Sequence, residues 1–386
     1  MRDGAGTTAT ASWASPEAKV ASVAWDFPDS NNRDAIHVIH PYPARFIPEI
    51  PRELIRLFHP GDDSPVLDPF CGSGTTLVEA GRTGLPSVGI DLHPLAILIA
   101  RVKTTPLPYD LREAAQRVAI AARETPTPVP SIPRINHWFQ PEVQDALARL
   151  VTQIDGVRDR AMRDALRVVL SRIVVRVSNQ ESNTRYAAIQ KDVSFDLVFQ
   201  LFDSSADFIN AALRDRFEGL LSRSAPCSLL ARNILDVTPT SLPAPVGLTV
   251  TSPPYPNAYE YWLYHKYRMY WLGMDPLAVR EAEIGARLHY FKKNHHTALD
   301  FERQMGEVFA LLAAVQPSGT YACFLVGRSV IHGREIDNAA LLQRAAAPHD
   351  FRSVADVDRH IAPTRKAFNP ANSRIDRETI LVFERQ

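Results

Sequence analysis

Two aspartates on either side of a glycine-rich loop form a group that could hold a ligand. Asp68 ends a short apolar stretch, the loop Phe70–Thr76 follows it, and Asp91 ends a second apolar stretch. An acid at the end of the second strand of such a unit can accept both ribose hydroxyls of a nucleoside. The loop is neither a dinucleotide fingerprint nor a P-loop, because the P-loop lysine is absent. These residues predict a nucleoside without pyrophosphate, and S-adenosylmethionine is such a ligand.

A second group, Thr251–Tyr255, follows another apolar stretch and has the sequence TSPPY. Two consecutive prolines fix the backbone. The Ser252 hydroxyl and the Pro253 carbonyl can then accept hydrogen bonds from both N–H bonds of one exocyclic amino group. This would expose a nitrogen lone pair that is otherwise conjugated into an aromatic ring. Tyr255 offers a stacking face for a base taken out of its helix. The motif predicts methyl transfer to an amino group.

The elements that must position these two groups form a repeating pattern of strands and helices. We predict strands at 65–68 and 87–91 and helices that begin at Leu77 and at Pro94, which is a βαβ unit of a parallel sheet. Further strands are predicted at 233–237, 247–251, 320–326 and 379–383, and further helices at 301–315 and 336–347. Asp236 would end the strand at 233–237 and is a candidate acceptor for the adenine amino group. Both chemical groups would lie at the carboxyl edge of one sheet, where open α/β folds bind ligands.

The segment between the two groups is different in character. Residues 105–228 contain proline-rich linkers and amphipathic helical patterns, which predict a helical insertion that serves as the target-recognition region. Within it, the run Ser178–Tyr186 is rich in Asn, Gln and Arg, which can read purine edges, although a plain surface loop has the same composition. Residues 1–35 are predicted to be a peripheral N-terminal arm, and 36–104 with 229–386 to be the catalytic domain. The aromatic stripe at 259–271 is interpreted mainly as packing, with some of it lining the base pocket.

Taken together, these motifs resemble those of the S-adenosylmethionine-dependent amino-methyltransferases of DNA, over roughly residues 36–103 and 230–386. The segment 40–46 resembles the motif of that family that contacts the methionine part of the cofactor. The resemblance implies a Rossmann-like α/β sheet that is mostly parallel with an antiparallel last strand. It assigns cofactor binding to Tyr42, Pro43, Arg45, Phe46, Asp68, Pro69, Phe70, Cys71, Gly72, Ser73, Gly74, Thr75, Asp91, Leu92 and Asp236. It assigns catalysis to the [DNS]PP[YFW] motif, here Ser252, Pro253, Pro254 and Tyr255.

The target base follows from the same resemblance. A serine in the first position of the catalytic motif favours cytosine N4, and adenine N6 is the alternative. An RNA guanine-N2 methyltransferase and a protein-glutamine methyltransferase are alternatives of another class. Methylation of cytosine C5 needs a Pro-Cys nucleophile, and Pro226-Cys227 precedes the TSPPY motif and has no glutamine after it. A non-enzymatic nucleotide-binding regulator would leave the catalytic motif unexplained.

The charge balance limits how the protein could bind nucleic acid. Lys and Arg number 43 and Asp and Glu number 43, so the formal net charge is zero and non-specific coating of nucleic acid is not expected. Local basic loops are predicted to contact double-stranded DNA. The residues chosen for this role are Arg185, Lys292, Lys293, Arg365, Lys366 and Arg374. No metal site is predicted, because the histidine cluster at 289–296 has no paired carboxylate.

Cysteine usage and hydropathy indicate the compartment. Three cysteines without a CxxC spacing argue against disulfides and structural zinc. No apolar stretch reaches the about 18 residues of a membrane span, and residues 1–15 do not have the pattern of a signal peptide. We therefore expect a cytoplasmic protein, and the resemblance to DNA amino-methyltransferases implies a prokaryotic or phage origin. No nuclease motif is evident, so any cognate restriction or defence-system proteins are expected on separate chains.

Overall fold

The strands form one large sheet and one small hairpin. The computed structural model describes residues 14–28, 30, 34–43, 46–183, 185–218, 225–257, 260–291, 295–361 and 377–386. The strands are β1 (Val66–Asp68), β2 (Ser87–Asp91), β3 (Cys227–Ala231), β4 (Leu248–Thr251), β5 (Tyr321–Gly327), β6 (Ser329–Ile331), β7 (Arg334–Ile336), β8 (Phe351–His360) and β9 (Arg377–Arg385). The sheet order is β3-β2-β1-β4-β5-β9-β8, and β6 pairs with β7.

Strand direction decides the fold class. Strands β1 to β5 pair in parallel, and the last strand, β9, pairs antiparallel with both β5 and β8. The predicted fold class, a mostly parallel Rossmann-like sheet with an antiparallel last strand, is therefore confirmed. The carboxyl ends of β1, β2 and β4, which carry the two chemical groups, are neighbours at one edge.

The helices cover both faces of this sheet. They are α1 (Pro16–Ala21), α2 (Glu49–Phe58), α3 (Thr75–Arg82), α4 (Pro94–Thr104), α5 (Leu111–Glu124), α6 (Ile135–Trp138), α7 (Pro141–Asp155), α8 (Arg160–Val177), α9 (Phe195–Phe217), α10 (Tyr261–Trp271), α11 (Pro276–Ala282), α12 (Ala298–Val315) and α13 (Asn338–Ala346). Alternate residues of a strand point to opposite faces. Leu67 and Phe324 accordingly join the apolar cluster of α12 and α13, whereas Val66 and Leu325 join that of α2.

Helices α5 to α9 form the insertion and lie within the connection from β2 and α4 to β3. The inner faces of α7, α8 and α9 are apolar, and Leu147, Leu166 and Phe202 are fully buried. These side chains share one buried cluster with residues of α4 and α10. Because the insertion packs directly on α4 and α10, its position is fixed relative to the carboxyl edge of the sheet.

Part of the predicted N-terminal arm packs on the sheet. Val20 of α1 and the following Trp25 are both buried in the same apolar cluster as α2 and Val382 of β9. The indole Nε1 of Trp25 donates to the carbonyl of Val20 at 2.8 Å. Residues 16–25 therefore contribute to the core and do not form a peripheral arm.

Two predictions of local structure are wrong. The segment 233–237 is not a strand, because the Asn233 side chain accepts from Leu235 N–H and caps a 3-10 turn at Ile234–Asp236. The strand that pairs with β2 is β3, which begins at Cys227. The predicted strands also omit β8, which the structure places at Phe351–His360.

Candidate active site

The glycine loop between β1 and α3 is held closed by Asp91. Gly72 N–H donates to Asp91 Oδ2 at 2.8 Å, and His93 N–H donates to Asp91 Oδ1 at 2.8 Å. Gly72 and Gly74 both have positive φ, at +49° and +81°, which favours glycine. Burial raises the pKa of Asp91 to about 6. The carboxylate that is predicted to bind the ribose is thus oriented by the loop before any ligand arrives.

Asp68 connects the cofactor loop to the catalytic motif. Its Oδ1 accepts from the hydroxyl of Thr251 at 2.6 Å and from Phe70 N–H at 3.1 Å. Both Asp68 and Thr251 are buried, and burial raises the pKa of Asp68 to about 6. The first residue of TSPPY is therefore hydrogen-bonded to the first acid of the loop, across the neighbouring strands β1 and β4.

A cavity of about 700 Å³, including its open mouth, lies where these elements meet. Asp91 and Leu92 line one side, and Ser252 and Pro254 of the catalytic motif line another. A smaller adjoining hollow shares Ser252 with it. Of the predicted cofactor residues, the two spaces together are lined by Tyr42, Phe46, Asp68, Pro69, Phe70, Cys71, Gly72, Ser73, Thr75, Asp91 and Leu92. The structure therefore brings most of the predicted cofactor set and part of the catalytic set to one place.

The remaining members of the catalytic set flank this cavity. Pro253 is buried, and Tyr255 is partly buried against the apolar cluster of α12 and α13. Burial and the nearby Glu378 carboxylate both raise the pKa of Tyr255, so its hydroxyl stays protonated. The aromatic ring and the hydroxyl of Tyr255 therefore have separate environments, one apolar and one polar.

Several predicted site residues lie elsewhere or outside the described chain. Asp236 is exposed and does not line the cavity, because the segment folds as a turn and places Asn233 and Ile234 there instead. Gly74 and Pro43 are buried but do not line either space. Arg185 is exposed and pairs with Glu181 at 3.0 Å. Six further predicted residues lie outside the described residues: the cofactor residue Arg45 and the DNA-contact residues Lys292, Lys293, Arg365, Lys366 and Arg374.

The structure also adds residues that the motif analysis missed. The ring of Tyr42 stacks on Tyr261 with centroids 5.8 Å apart, and on His265 with centroids 5.0 Å apart. Glu283 lines the cavity and accepts from Tyr261 N–H at 2.8 Å and from Trp262 N–H at 3.3 Å. Burial raises the pKa of Glu283 to about 8. Tyr261 and His265 belong to the aromatic stripe at 259–271, part of which the sequence predicts to line the base pocket. Glu283 is an isolated glutamate after α11, and no sequence pattern marks it.

Asp34, His37 and Glu79 lie close enough together to suggest a metal ion, but their partners account for them. The Glu79 oxygens accept from His37 at 2.8 Å, from Arg52 at 2.7 Å and from Arg82 at 2.7 Å. Two guanidinium groups already neutralise this carboxylate. The cluster is a buried ion-pair network that ties α3 to α2 and to the segment before it.

The cavity has the charge that S-adenosylmethionine requires. The Asp91 carboxyl, whose pKa is about 6, lines it and is ionised at neutral pH, and no lysine or arginine lines it among the described residues. An acidic lining favours a cationic sulfonium ligand and disfavours a polyphosphate. Leu92, Ile234 and Phe70 supply apolar walls of the kind that hold an adenine ring. The residues present therefore fit the predicted cofactor.

Comparison with known proteins assigns the first quarter of the chain. Residues 5–101 match the family model described as DNA methylase, and this range includes the glycine loop and Asp91. This part of the chain is therefore similar to the DNA methylases that the family model describes. The predicted resemblance to S-adenosylmethionine-dependent DNA amino-methyltransferases is thereby confirmed, and so is S-adenosylmethionine as the cofactor.

Individual relatives cover different shares of the chain. Type II methyltransferase M.MvaI of Kocuria varians is 31% identical over 170 residues, which are 41% of this chain and 37% of that protein. Type II methyltransferase M.MjaII of Methanocaldococcus jannaschii is 44% identical over 79 residues, 20% of this chain and 14% of that protein. The rRNA methyltransferase aviRa from Streptomyces viridochromogenes aligns over 92% of this chain and 91% of its own with 13% identity and a TM-score of 0.36. The chain therefore matches well under half the length of either type II methyltransferase.

Within the described residues, none of the helices has both the length and the apolar character needed to cross a bilayer.

Proposed function

We propose that this protein is a site-specific DNA methyltransferase that transfers the methyl group of S-adenosylmethionine to the N4 amino group of a flipped cytosine. The substrate is double-stranded DNA, and the reaction takes place in the cytoplasm of a prokaryotic cell. Any cognate restriction or defence-system proteins are separate chains. Adenine N6 is the alternative target.

One observation carries this proposal. The hydroxyl of Thr251 donates to Asp68 at 2.6 Å, so the TSPPY motif and the cofactor loop form one hydrogen-bonded unit at the carboxyl edge of the sheet. Ser252 lines both the cavity beside Asp91 and the adjoining hollow beside Asp68. A methyl donor held by the loop would therefore lie next to the side chain that receives the amino group.

Each residue of the motif has a defined task in this proposal. When bound, S-adenosylmethionine supplies an electrophilic methyl group. The Ser252 hydroxyl and the Pro253 carbonyl accept hydrogen bonds from the target amino group and fix its lone pair toward the donor. Pro254 holds the turn, and the ring of Tyr255 stacks on the flipped base. Asp91 orients the ribose, and the apolar walls of the cavity exclude water from the reacting atoms.

Target choice is assigned to the insertion and to basic loops. Helices α5 to α9 pack on α4 and α10, so a surface of the insertion can hold DNA in a fixed relation to the catalytic edge. We assign phosphate or base contacts to Arg185 and to the five lysines and arginines at 292–293, 365–366 and 374. The zero net charge predicts modest non-specific affinity that depends on these loops alone.

The test is a transfer assay with methyl-labelled S-adenosylmethionine and, in separate reactions, unmethylated DNA, RNA and protein. Label is expected on DNA, and digestion to nucleosides with mass spectrometry is expected to give N4-methylcytosine. Y255A should reduce turnover by about 10- to 100-fold, because base stacking contributes about 1–3 kcal/mol per base. The matched control is Y109A, which truncates a tyrosine that is 42% exposed in the connection between α4 and α5.

Each other result has a definite meaning. N6-methyladenine would replace cytosine N4 by the alternative target and keep the rest of the proposal. Label on RNA or on protein would move the protein to one of the other two classes of amino- or amide-methyltransferase. Recovery of 5-methylcytosine would contradict the assignment of the TSPPY motif.

A further inference from the structure

The hydroxyl of Tyr255 is hydrogen-bonded to a residue that no motif of the chain contains. It donates to Glu378 Oε1 at 3.3 Å. Glu378 is the second residue of β9, 123 positions away in the sequence. The proposed stacking role uses the ring of Tyr255, and the family motif accepts Phe or Trp at this position. The hydroxyl and its acceptor are therefore a feature of this chain that the motif does not account for.

The sheet register explains how Glu378 reaches the catalytic loop. On β9, Glu378 pairs with Gly327 of β5 on one side and with Arg359 of β8 on the other. Tyr255 follows β4, which neighbours β5, so its side chain must cross β5 to meet β9. The residue of β5 that lies in register with Glu378 is a glycine, and it puts no side chain in this path.

Glu378 is itself held by a buried cation. The Arg359 guanidinium forms an ion pair with Glu378 Oε2, and the Arg359 side chain is 5% exposed. The Arg359 Nε donates to the main-chain carbonyl of Trp25 at 3.1 Å, and Trp25 is also buried. A carboxylate with one oxygen on a buried arginine has little freedom to rotate, so its other oxygen is a fixed acceptor for the tyrosine.

The loop around Tyr255 is anchored at its far end as well. Asn257 N–H donates to the carbonyl of Gly285 at 2.9 Å, and the Asn257 side chain donates to the carbonyl of Val330 at 2.7 Å. Gly285 has a φ of +75°, and a Cβ there would lie 2.9 Å from the carbonyl oxygen of Tyr255. The main chain of the loop is therefore fixed by these contacts, and the Glu378 bond adds a contact to the Tyr255 side chain.

We propose that Glu378 is a positioning residue that fixes the ring of Tyr255 in the orientation needed to stack on the flipped base. This proposal rests on the proposed function. Without the bond, the ring would lose one of the contacts that orient it, and a misplaced contact near reacting atoms reduces the rate of a positioned reaction. The role predicts an effect on turnover with no effect on cofactor binding, and it predicts that Glu378 acts only through the tyrosine hydroxyl.

The test is a double-mutant cycle of Y255F and E378A, measured as transfer of methyl label to unmethylated DNA at saturating S-adenosylmethionine. Each single variant is expected to reduce kcat by about 10-fold, the range for a hydrogen bond to a charged group. The double variant should fall no more than about twofold below either single variant, because both remove the same bond. The dissociation constant of S-adenosylmethionine, measured by calorimetry, should stay unchanged in all three.

A matched control lies on the same two strands. Glu384 of β9 pairs in register with Arg352 of β8 at 2.7 Å, and this pair has no contact with the catalytic loop. E384A therefore removes a cross-strand ion pair and should leave kcat unchanged. E378D keeps both carboxylate oxygens, one for Arg359 and one for Tyr255, and should recover part of the activity that E378A loses.

The outcomes separate a positioning role from a structural one. Losses that multiply in the double variant would show that Glu378 only stabilises the sheet. The same conclusion would follow from an E378D variant that is as slow as E378A and has a lowered melting temperature. If E378A does not fold, Y255F still decides, because it removes the bond and leaves the Arg359–Glu378 pair intact; an unchanged kcat in Y255F overturns the proposal. A wild-type protein that labels no DNA contradicts the proposed function and this role together, whereas an active wild type with these results contradicts only the role.

Discussion

Replacing Gly74 by alanine should harm the cofactor loop far more than the same change at Gly84. Both glycines have positive φ, +81° at Gly74 and +79° at Gly84. A Cβ at Gly74 would lie 2.8 Å from the Cβ and 3.1 Å from the Cα of Ala100, whereas a Cβ at Gly84 has nothing within 4 Å. The left-handed backbone costs an alanine about 1–2 kcal/mol at either position. Overpacking against the main chain of α4 adds about 1–3 kcal/mol at Gly74 alone.

The free energy of unfolding should therefore fall by about 1–2 kcal/mol in G84A and by about 2–5 kcal/mol in G74A. Urea titration followed by circular dichroism measures both, and the effect of Gly→Ala on the unfolded chain cancels in the comparison. Calorimetry should show weaker S-adenosylmethionine binding in G74A and unchanged binding in G84A, because only Gly74 belongs to the loop. Equal losses of stability in the two variants would refute the packing of the loop against α4.

Three further predictions concern the acids and the threonines around the cavity. D91N should weaken S-adenosylmethionine binding by about 10-fold or more, because Gly72 and His93 donate to different carboxylate oxygens and the amide NH2 of Asn cannot accept in place of one of them. Binding by D63N, an exposed control, should not change in calorimetry. T251V removes the hydrogen bond to Asp68 and should lower both the free energy of unfolding, by about 1–3 kcal/mol, and the affinity for the cofactor. T249V removes a buried hydroxyl bond away from the cavity and should lower only the free energy of unfolding. Urea titration measures the first quantity and calorimetric titration the second. Glu283 has its pKa raised from 4.5 to about 8, so its contribution to stability is complete below pH 4.5 and is lost as the pH rises through about 8. The free energy of unfolding of the wild type minus that of E283Q should accordingly fall between pH 5 and pH 9, and a flat difference would contradict this burial.

Much of the fold could be predicted because its strands are short, apolar and followed by diagnostic residues. The strand 87–91 is observed at Ser87–Asp91, since a buried parallel strand that ends on an acid has few alternative interpretations. The prediction of a strand at 233–237 is wrong. Ile234, Leu235 and Val237 have the composition of a strand, but the side chain of Asn233 caps a turn there. A side chain that satisfies a nearby N–H competes with strand pairing, and composition alone does not register this competition.

In the candidate site, residues that are close in sequence could be predicted, whereas their partners that are distant in sequence could not. The loop and the TSPPY motif are contiguous in sequence, so their residues could be predicted individually. Their partners could not, because Glu283 and Glu378 reach the site only through the packing of α11 and the register of β9. β8 was missed because polar and charged residues dominate Phe351–His360, and only its pairing with β9 makes it a strand.

The proposed methylation of DNA at cytosine N4 is tested most directly by mass spectrometry of nucleosides from DNA incubated with the purified protein and S-adenosylmethionine. We predict N4-methylcytosine in that DNA and a decrease of about 10- to 100-fold in its amount with Y255A. DNA that gains no methylated nucleoside from a protein that binds S-adenosylmethionine would contradict it.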